Sequence, residues 1–200
     1  MSMYLAIRTK MSGLPHPHLG LDDKSQPRLL HFTGITFDKS GNELDHLTTP
    51  VDLQLADKGQ TDSSEGLIDT LEPSRNQGMD AIDVIRWFRT RARKVDCLIG
   101  HNIHLHVINM AIAGAQATSR GYIPPCRLYC TALHSLPFVH SAPTDEMMLA
   151  GKYHPKMPTL GECVEQLLGV DSPEPPDALA EVNACIRIFR HLVQERNRTV

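Results

Sequence analysis

The order of short apolar runs and longer amphipathic segments restricts the fold of this chain more than any other feature. Five β-prone runs lie at residues 3–8, 29–37, 43–51, 95–100 and 127–132. The second and third flank the turn sequence DKSGN, as in a β-hairpin, and the last two alternate with helical patterns. Because strands that alternate with helices are typical of α/β domains, we predict an α/β fold with a mixed five-stranded sheet flanked by helices.

Hydrophobic residues at helical spacing predict the helices. The last helix has the clearest pattern, with apolar residues at i, i+3, i+7, i+10 and i+14: Leu179, Val182, Ile186, Phe189 and Val193. Asp177 suits its first turn, and Pro176 suits its start. Similar patterns predict helices over residues 79–94, after a capping Asn102, and over residues 159–168.

Length and composition favour one domain. The 200 residues are 41% hydrophobic, enough for one core, so we expect a single domain over 1–200 with irregular loops near 16–27, 57–78 and 137–158. No apolar run approaches the roughly 18 residues of a membrane span, and no signal-peptide core follows the N-terminus. The odd number of cysteines, five, favours free thiols in a reducing compartment. We therefore expect a cytoplasmic protein without a membrane partner.

Basic residues are concentrated in one predicted helix although the formal net charge is −3. They are Arg86, Arg89, Arg91, Arg93 and Lys94. Such a run is either a solvated helix face or a surface that meets phosphates. The acidic stretches on both sides, residues 38–83 and 131–181, would repel a nucleic-acid backbone outside a local site.

Several short segments, taken in order, carry a family resemblance. Residues 4–15 read YLAIRTKMSGLP, residues 97–106 read CLIGHNIHLH, and residues 176–185 read PDALAEVNAC. Two weaker segments, YCTA at 129–132 and PTL at 158–160, lie between the last two. In this order they resemble the motifs of the DEDD (DnaQ-like) 3′–5′ exonucleases, whose first motif is Asp-Thr-Glu-Thr-Thr-Gly-Leu-Pro. The resemblance implies an RNase H-like sheet.

That family binds two divalent metal ions with four carboxylates and uses a histidine as general base, because the metal pair clamps the attacking and leaving oxygens of the phosphodiester. The matching positions of this chain are degenerate. They hold Arg8, Lys10, His106 and Glu181 in place of the carboxylates, and Pro176 in place of the base. We therefore expect none of these residues to be catalytic and no metal cofactor to bind.

Charge supports this expectation. Arg8 and Lys10 bring two positive charges to a site that would need negative ones, and Glu181 brings one negative charge. A positive site repels divalent cations, so we predict that Arg8 or Lys10 pairs with Glu181 in the space of a metal. The chain is then an inactive exonuclease-like domain that binds nucleic acid or a protein partner.

A second hypothesis keeps the nuclease activity. In that alternative, a rearranged site binds Mg²⁺ or Mn²⁺ through His104, His106, Asp177 and Glu181 and supports 3′–5′ exonuclease activity. Under the first hypothesis, a single-stranded 3′ end would meet a set of polar and basic residues: Arg8, Lys10, Asn102, Arg86 and Arg89. His101 matches a histidine of the family's second motif and is expected to be structural.

Overall fold

A six-stranded mixed sheet forms the centre of the computed structural model, which describes residues 2–52, 78–170 and 177–198. The strands are β1 (Met3–Met11), β2 (Leu29–Asp38), β3 (Glu43–Asp52), β4 (Met79–Asp80), β5 (Cys97–Gly100) and β6 (Arg127–Cys130). Their order is β4-β3-β2-β1-β5-β6. Strands β1, β2 and β3 are antiparallel neighbours, whereas β5 runs parallel to β1, β6 parallel to β5 and β4 parallel to β3.

The predicted mixed α/β sheet is confirmed, but the strand number of five is wrong. The sixth strand, β4, contains two residues and pairs with Val51 and Asp52 at the end of β3. Two residues are too few to show the alternation of a strand. The sequence pattern therefore assigned Met79 and Asp80 to the following helix.

Within the described residues, six helices accompany the sheet: α1 (Ala81–Ala92), α2 (Ile103–Thr118), α3 (Thr131–Ser135), α4 (Asp145–Leu149), α5 (Leu160–Leu168) and α6 (Ala178–Arg198). Thr159 and Glu162 form a capping box at α5, and Gly169 ends this helix with φ of 64°. Asn102 directly precedes α2, as predicted, but the expected side-chain cap is absent. Asn102 has a left-handed backbone and its side chain makes no capping hydrogen bond, because the chain turns sharply between β5 and α2.

The two faces of the sheet carry different helices. Leu5 and Ile7 of β1 point to the core formed with α1 and α2, whereas Ala6 packs with Val182 and Ile186 of α6. All three β1 residues are at most 1% exposed. Even-numbered β1 residues therefore face α6, and odd-numbered residues face α1 and α2.

The loops predicted near 16–27 and 137–158 differ in structure. Residues 16–27 form turns that Gln26 holds together, since its buried amide binds the backbone of His16, Leu19 and Gly20. The second segment contains α4, none of whose residues is buried. The third predicted loop, 57–78, lies outside the described residues except for Gly78, and Pro176 also lies outside them.

The five cysteines are all free, and four of them are buried. This agrees with the expectation of free thiols. In the part of the chain that the structure describes, no helix combines the length and the apolar character needed to cross a membrane.

Candidate functional site

An ion pair lies where the first strand meets the last helix. The guanidinium Nε of Arg8 on β1 contacts Oε2 of Glu181 in the first turn of α6, and the two side chains are 30% and 20% exposed. Arg8 shares the α6 face with Ala6 because the two residues are two positions apart in a strand. The charges of the sequence predicted this pairing, and Arg8 rather than Lys10 forms it.

His106 is the second group at this end of β1. Its Nδ1 accepts hydrogen bonds from the backbone N–H of Thr9 (3.3 Å) and from Thr9 Oγ1 (2.8 Å). The backbone of His101 is close enough to favour the protonated ring. Burial, followed by the nearby charge of Arg8, lowers the pKa of His106 to about 4, so the ring is neutral at neutral pH.

The hydrogen bonds of Thr9 continue into α2. Because Thr9 Oγ1 donates to His106, it accepts from Asn109 Nδ2 at 2.9 Å. Asn109 is 4% exposed, and its Oδ1 has no hydrogen-bond partner within the described residues. Neither Thr9 nor Asn109 was predicted. The available signal was the spacing of Asn109, three positions after His106 and so on the same side of a helix.

Lys10 and His31 are cross-strand neighbours on the α6 face. The register of β1 and β2 pairs them directly, and Lys10 is exposed whereas His31 is partly buried. Burial and the charges of Arg8 and Lys10 lower the pKa of His31, and the charge of Asp177 acts in the opposite direction. His31 was not predicted, since only the strand register brings it beside Lys10.

Asp177 stands at the start of α6 and caps it. Its carboxylate accepts from the backbone N–H groups of Leu179 (3.3 Å) and Ala180 (3.4 Å). The predicted helix-terminal role therefore accounts for this residue.

An open groove of about 370 Å³ adjoins these residues, between the end of β1 and α2. It is lined by residues 9–15 together with Leu105 and Asn109. Leu14 projects from its rim and is 77% exposed. Its walls are partly apolar, and Lys10 is among the residues that line it.

The structure separates Arg86 and Arg89 from this site. Both lie on α1, on the opposite face of the sheet from the Arg8 side chain. Arg86 pairs with Asp83, and Arg89 donates to the carbonyl of Arg120 at 2.7 Å. The contact of Arg86 and Arg89 with a nucleic acid stays a prediction, and in this structure both arginines make intramolecular contacts.

The alternative metal-ligand set is not brought together. His104 and His106 are two positions apart on α2, about 200° around a helix, and the His104 side chain is exposed. Among the described residues, no three His, Cys, Asp or Glu side chains form a group that could hold a metal ion. The donor set does not fit a pair of divalent metals, because Glu181 binds a guanidinium and Asp177 caps a helix.

His101 has the structural position expected for it. Its Nε2 donates to the carbonyl of Pro158 at 2.9 Å, and its Nδ1 accepts from Thr131 Oγ1 at 3.1 Å. Burial lowers its pKa, although the hydrogen bond to Pro158 opposes this shift. His101 thereby ties the end of β5 to α3 and to the segment before α5.

No protein-family model and no curated protein matches this chain. Solved structures do match. E. coli exonuclease I in complex with a dT13 oligonucleotide aligns with a TM-score of 0.65 and 16% identity over 100% of this chain and 42% of that one. For exonuclease I from Methylocaldum szegediense the TM-score is 0.60, with 17% identity over 99% and 41% of the two chains.

The ExoI/SSB-Ct complex also aligns, with a TM-score of 0.62 and 15% identity over 98% of this chain and 42% of that chain. The present chain thus spans about two fifths of the length of these structures. At such identities, the comparison establishes the fold and not the activity. This chain has the RNase H-like α/β fold of exonuclease I.

Proposed function

We propose that this chain is a catalytically inactive exonuclease-like domain that binds the 3′ end of a single-stranded nucleic acid at the end of β1. The Arg8–Glu181 ion pair carries the proposal. Glu181 is the one carboxylate that remains at the positions where the resembled family has its metal ligands. The ion pair engages this carboxylate with the Arg8 guanidinium.

The surrounding groups also argue against hydrolysis. An attacking water must lose a proton to a base or be activated by a metal. Nδ1 of His106, which carries the lone pair of the neutral ring, already accepts from the backbone N–H and from Oγ1 of Thr9. His106 therefore has no free lone pair with which to accept a proton from water.

The binding half of the proposal rests on the groove and its charge. Lys10 is exposed at the groove, where Leu14 and Leu105 supply apolar surface. A cation beside apolar walls suits a phosphate and a base of a single strand. Exonuclease I, which shares the fold, has been solved with dT13 and dA16 oligonucleotides.

A protein partner is the second candidate function. Exposed apolar side chains are frequent around α4: Phe138 is 57% exposed, Leu149 90% and Tyr153 76%. Exposed apolar groups in one segment favour an interaction surface. A scaffold of this kind predicts that Arg8→Ala and Lys10→Ala leave partner binding unchanged.

Two assays test the proposed function. The first incubates the protein with labelled single- and double-stranded DNA and RNA in Mg²⁺ or Mn²⁺, and we expect no release of mononucleotides. The second measures fluorescence anisotropy of a short single-stranded oligonucleotide in EDTA. We expect binding that weakens with rising salt and with Lys10→Ala.

Metal-dependent release of mononucleotides that Glu181→Ala abolishes would contradict inactivity and support the rearranged metal site. Absence of binding at micromolar protein and low salt would remove nucleic acid as the ligand. The protein-partner function would then take its place.

A further inference from the structure

Two basic side chains stand next to each other at this site. Lys10 and His31 are directly paired across β1 and β2, which places their Cβ atoms about 5 Å apart on one face. No described carboxylate forms an ion pair with Lys10, and no described group hydrogen-bonds the ring of His31. Arg8 lies two positions from Lys10 on the same face.

The nearby carboxylates are engaged elsewhere. Glu181 binds Arg8, and Asp177 accepts from two backbone N–H groups at the start of α6. Basic groups directly opposite each other in a sheet destabilise it when both are charged. An anion placed between Lys10 and His31 would relieve this repulsion.

We propose that Lys10 and His31 bind a phosphomonoester dianion, supplied by the terminal phosphate of the strand. This inference rests on the proposed function, which brings a strand end to the site. It adds that the preferred end carries a phosphate rather than a free hydroxyl group.

The number of basic groups favours a dianion. A phosphodiester carries one charge, which the Lys10 ammonium balances, whereas a phosphomonoester carries about −1.5 to −2 near pH 7. The second negative charge of the phosphomonoester can pair with protonated His31. Three terminal oxygens can accept from both side chains at once.

Binding should therefore depend on pH. The groups that face His31 are Arg8 and Lys10 from β1, which disfavour its protonation, and Asp177 before α6, which favours it. Its β3 neighbour is Pro50, which has no charge. A bound dianion stabilises protonated His31, so affinity should fall as pH rises above the His31 pKa.

The experiment compares one labelled oligonucleotide with a 3′-phosphate, a 5′-phosphate or only hydroxyl ends, by anisotropy in EDTA at pH 6 and pH 8. We expect one phosphorylated end to bind about tenfold more tightly than the hydroxyl strand at pH 6, with a smaller difference at pH 8. Lys10→Met and His31→Asn should each remove this preference. Their matched controls are Lys39→Met, in the turn at the other end of the hairpin, and His154→Asn, an exposed histidine.

A separate NMR titration follows the His31 ring with inorganic phosphate as the probe, and we expect its pKa to rise. Thermal melts establish that each variant is folded. Equal affinity for phosphate and hydroxyl ends would overturn the phosphate site while leaving the proposed function intact. If no oligonucleotide binds but phosphate still raises the His31 pKa, the phosphate site stands and the proposed function fails.

Discussion

Arg8, on the central strand, forms an ion pair with Glu181, in the first turn of the last helix. The pair joins two elements that are distant in sequence, and both side chains are mostly buried. Breaking a partly buried pair from one side leaves the other charge without its partner and is more costly than loss of an exposed pair. This contact is therefore expected to stabilise the fold as well as to occupy the site.

A double-mutant cycle measures that stabilisation. We expect Arg8→Met to lower the free energy of unfolding by about 1–2 kcal/mol, because it leaves the Glu181 carboxylate unpaired. Adding Glu181→Gln should recover part of the loss. Urea denaturation of the four proteins gives the coupling energy, and a coupling energy of zero would contradict a stabilising pair.

Divalent metal should not stabilise the protein. A ligand that binds only the folded state raises its stability, by about 2.7 kcal/mol at one hundred times its Kd. We expect the Tm to be unchanged by millimolar Mg²⁺ or Mn²⁺, because Glu181 is paired with Arg8.

Restored carboxylates supply the positive control for metal binding. A folded Arg8→Asp/Lys10→Glu/His106→Asp variant should gain Tm with Mn²⁺, and adding Glu181→Gln should reduce that gain. A rise in the Tm of the unmodified protein with metal would count against the proposed site.

His106 should make stability depend on pH. Its pKa is lowered to about 4 in the folded protein from an ordinary value of 6.5. The unfolded chain therefore binds more protons between these two values, and stability falls as pH decreases from about 6.5 to 4. Above pH 6.5 the stabilisation that neutral His106 contributes to the fold is fully present.

The variant His106→Asn isolates this effect. We expect the difference in unfolding free energy between the unmodified protein and this variant to shrink by about 2–3 kcal/mol between pH 7 and pH 4. His104→Asn on the same helix, whose side chain is exposed, is the matched control and should keep the original pH profile. A profile unchanged by His106→Asn would show that the ring is not buried in its neutral form.

The hydroxyl of Thr9 should be needed for packing of α2 against β1. Thr9→Val keeps the shape but removes both the donor to His106 and the acceptor of Asn109. Leaving buried polar groups without partners costs about 1–3 kcal/mol each. We expect chemical denaturation to show a loss within that range, whereas Thr9→Ser should retain most of the stability.

The start of α5 gives an acid-sensitive contact far from the site. Burial raises the pKa of Glu162, but hydrogen bonds from Lys156 and Thr159 outweigh it and lower the pKa to about 2. The stabilisation that ionised Glu162 contributes is fully present above the ordinary pKa of 4.5 and is lost as pH falls toward 2. Glu162→Gln should lower the free energy of unfolding by about 1–2 kcal/mol at pH 7 and by less at pH 3, as urea melts at the two pH values would show.

Much of the fold could be predicted from local patterns. The hairpin, the strands before and after α2, and the final helix have side-chain periodicities that follow from their own geometry. Strand β4 could not be predicted, because two residues carry no periodicity and their pairing depends on β3. Asparagine is a common capping residue, so a side-chain cap was expected at Asn102. The turn out of β5 instead gives Asn102 a left-handed backbone, and its side chain makes no capping hydrogen bond.

For the candidate site, the sequence by itself determined the charges: cations at positions 8 and 10, a histidine at 106 and a carboxylate at 181. Opposite charge and family order were enough to predict an ion pair to Glu181. Only the tertiary structure decided that Arg8 makes it, that His31 stands beside Lys10, and that Asn109 joins Thr9 and His106. It also decided that Arg86 and Arg89 lie on the other face. These relations depend on strand register and on which sheet face each helix covers, and both are set by packing between segments distant in sequence.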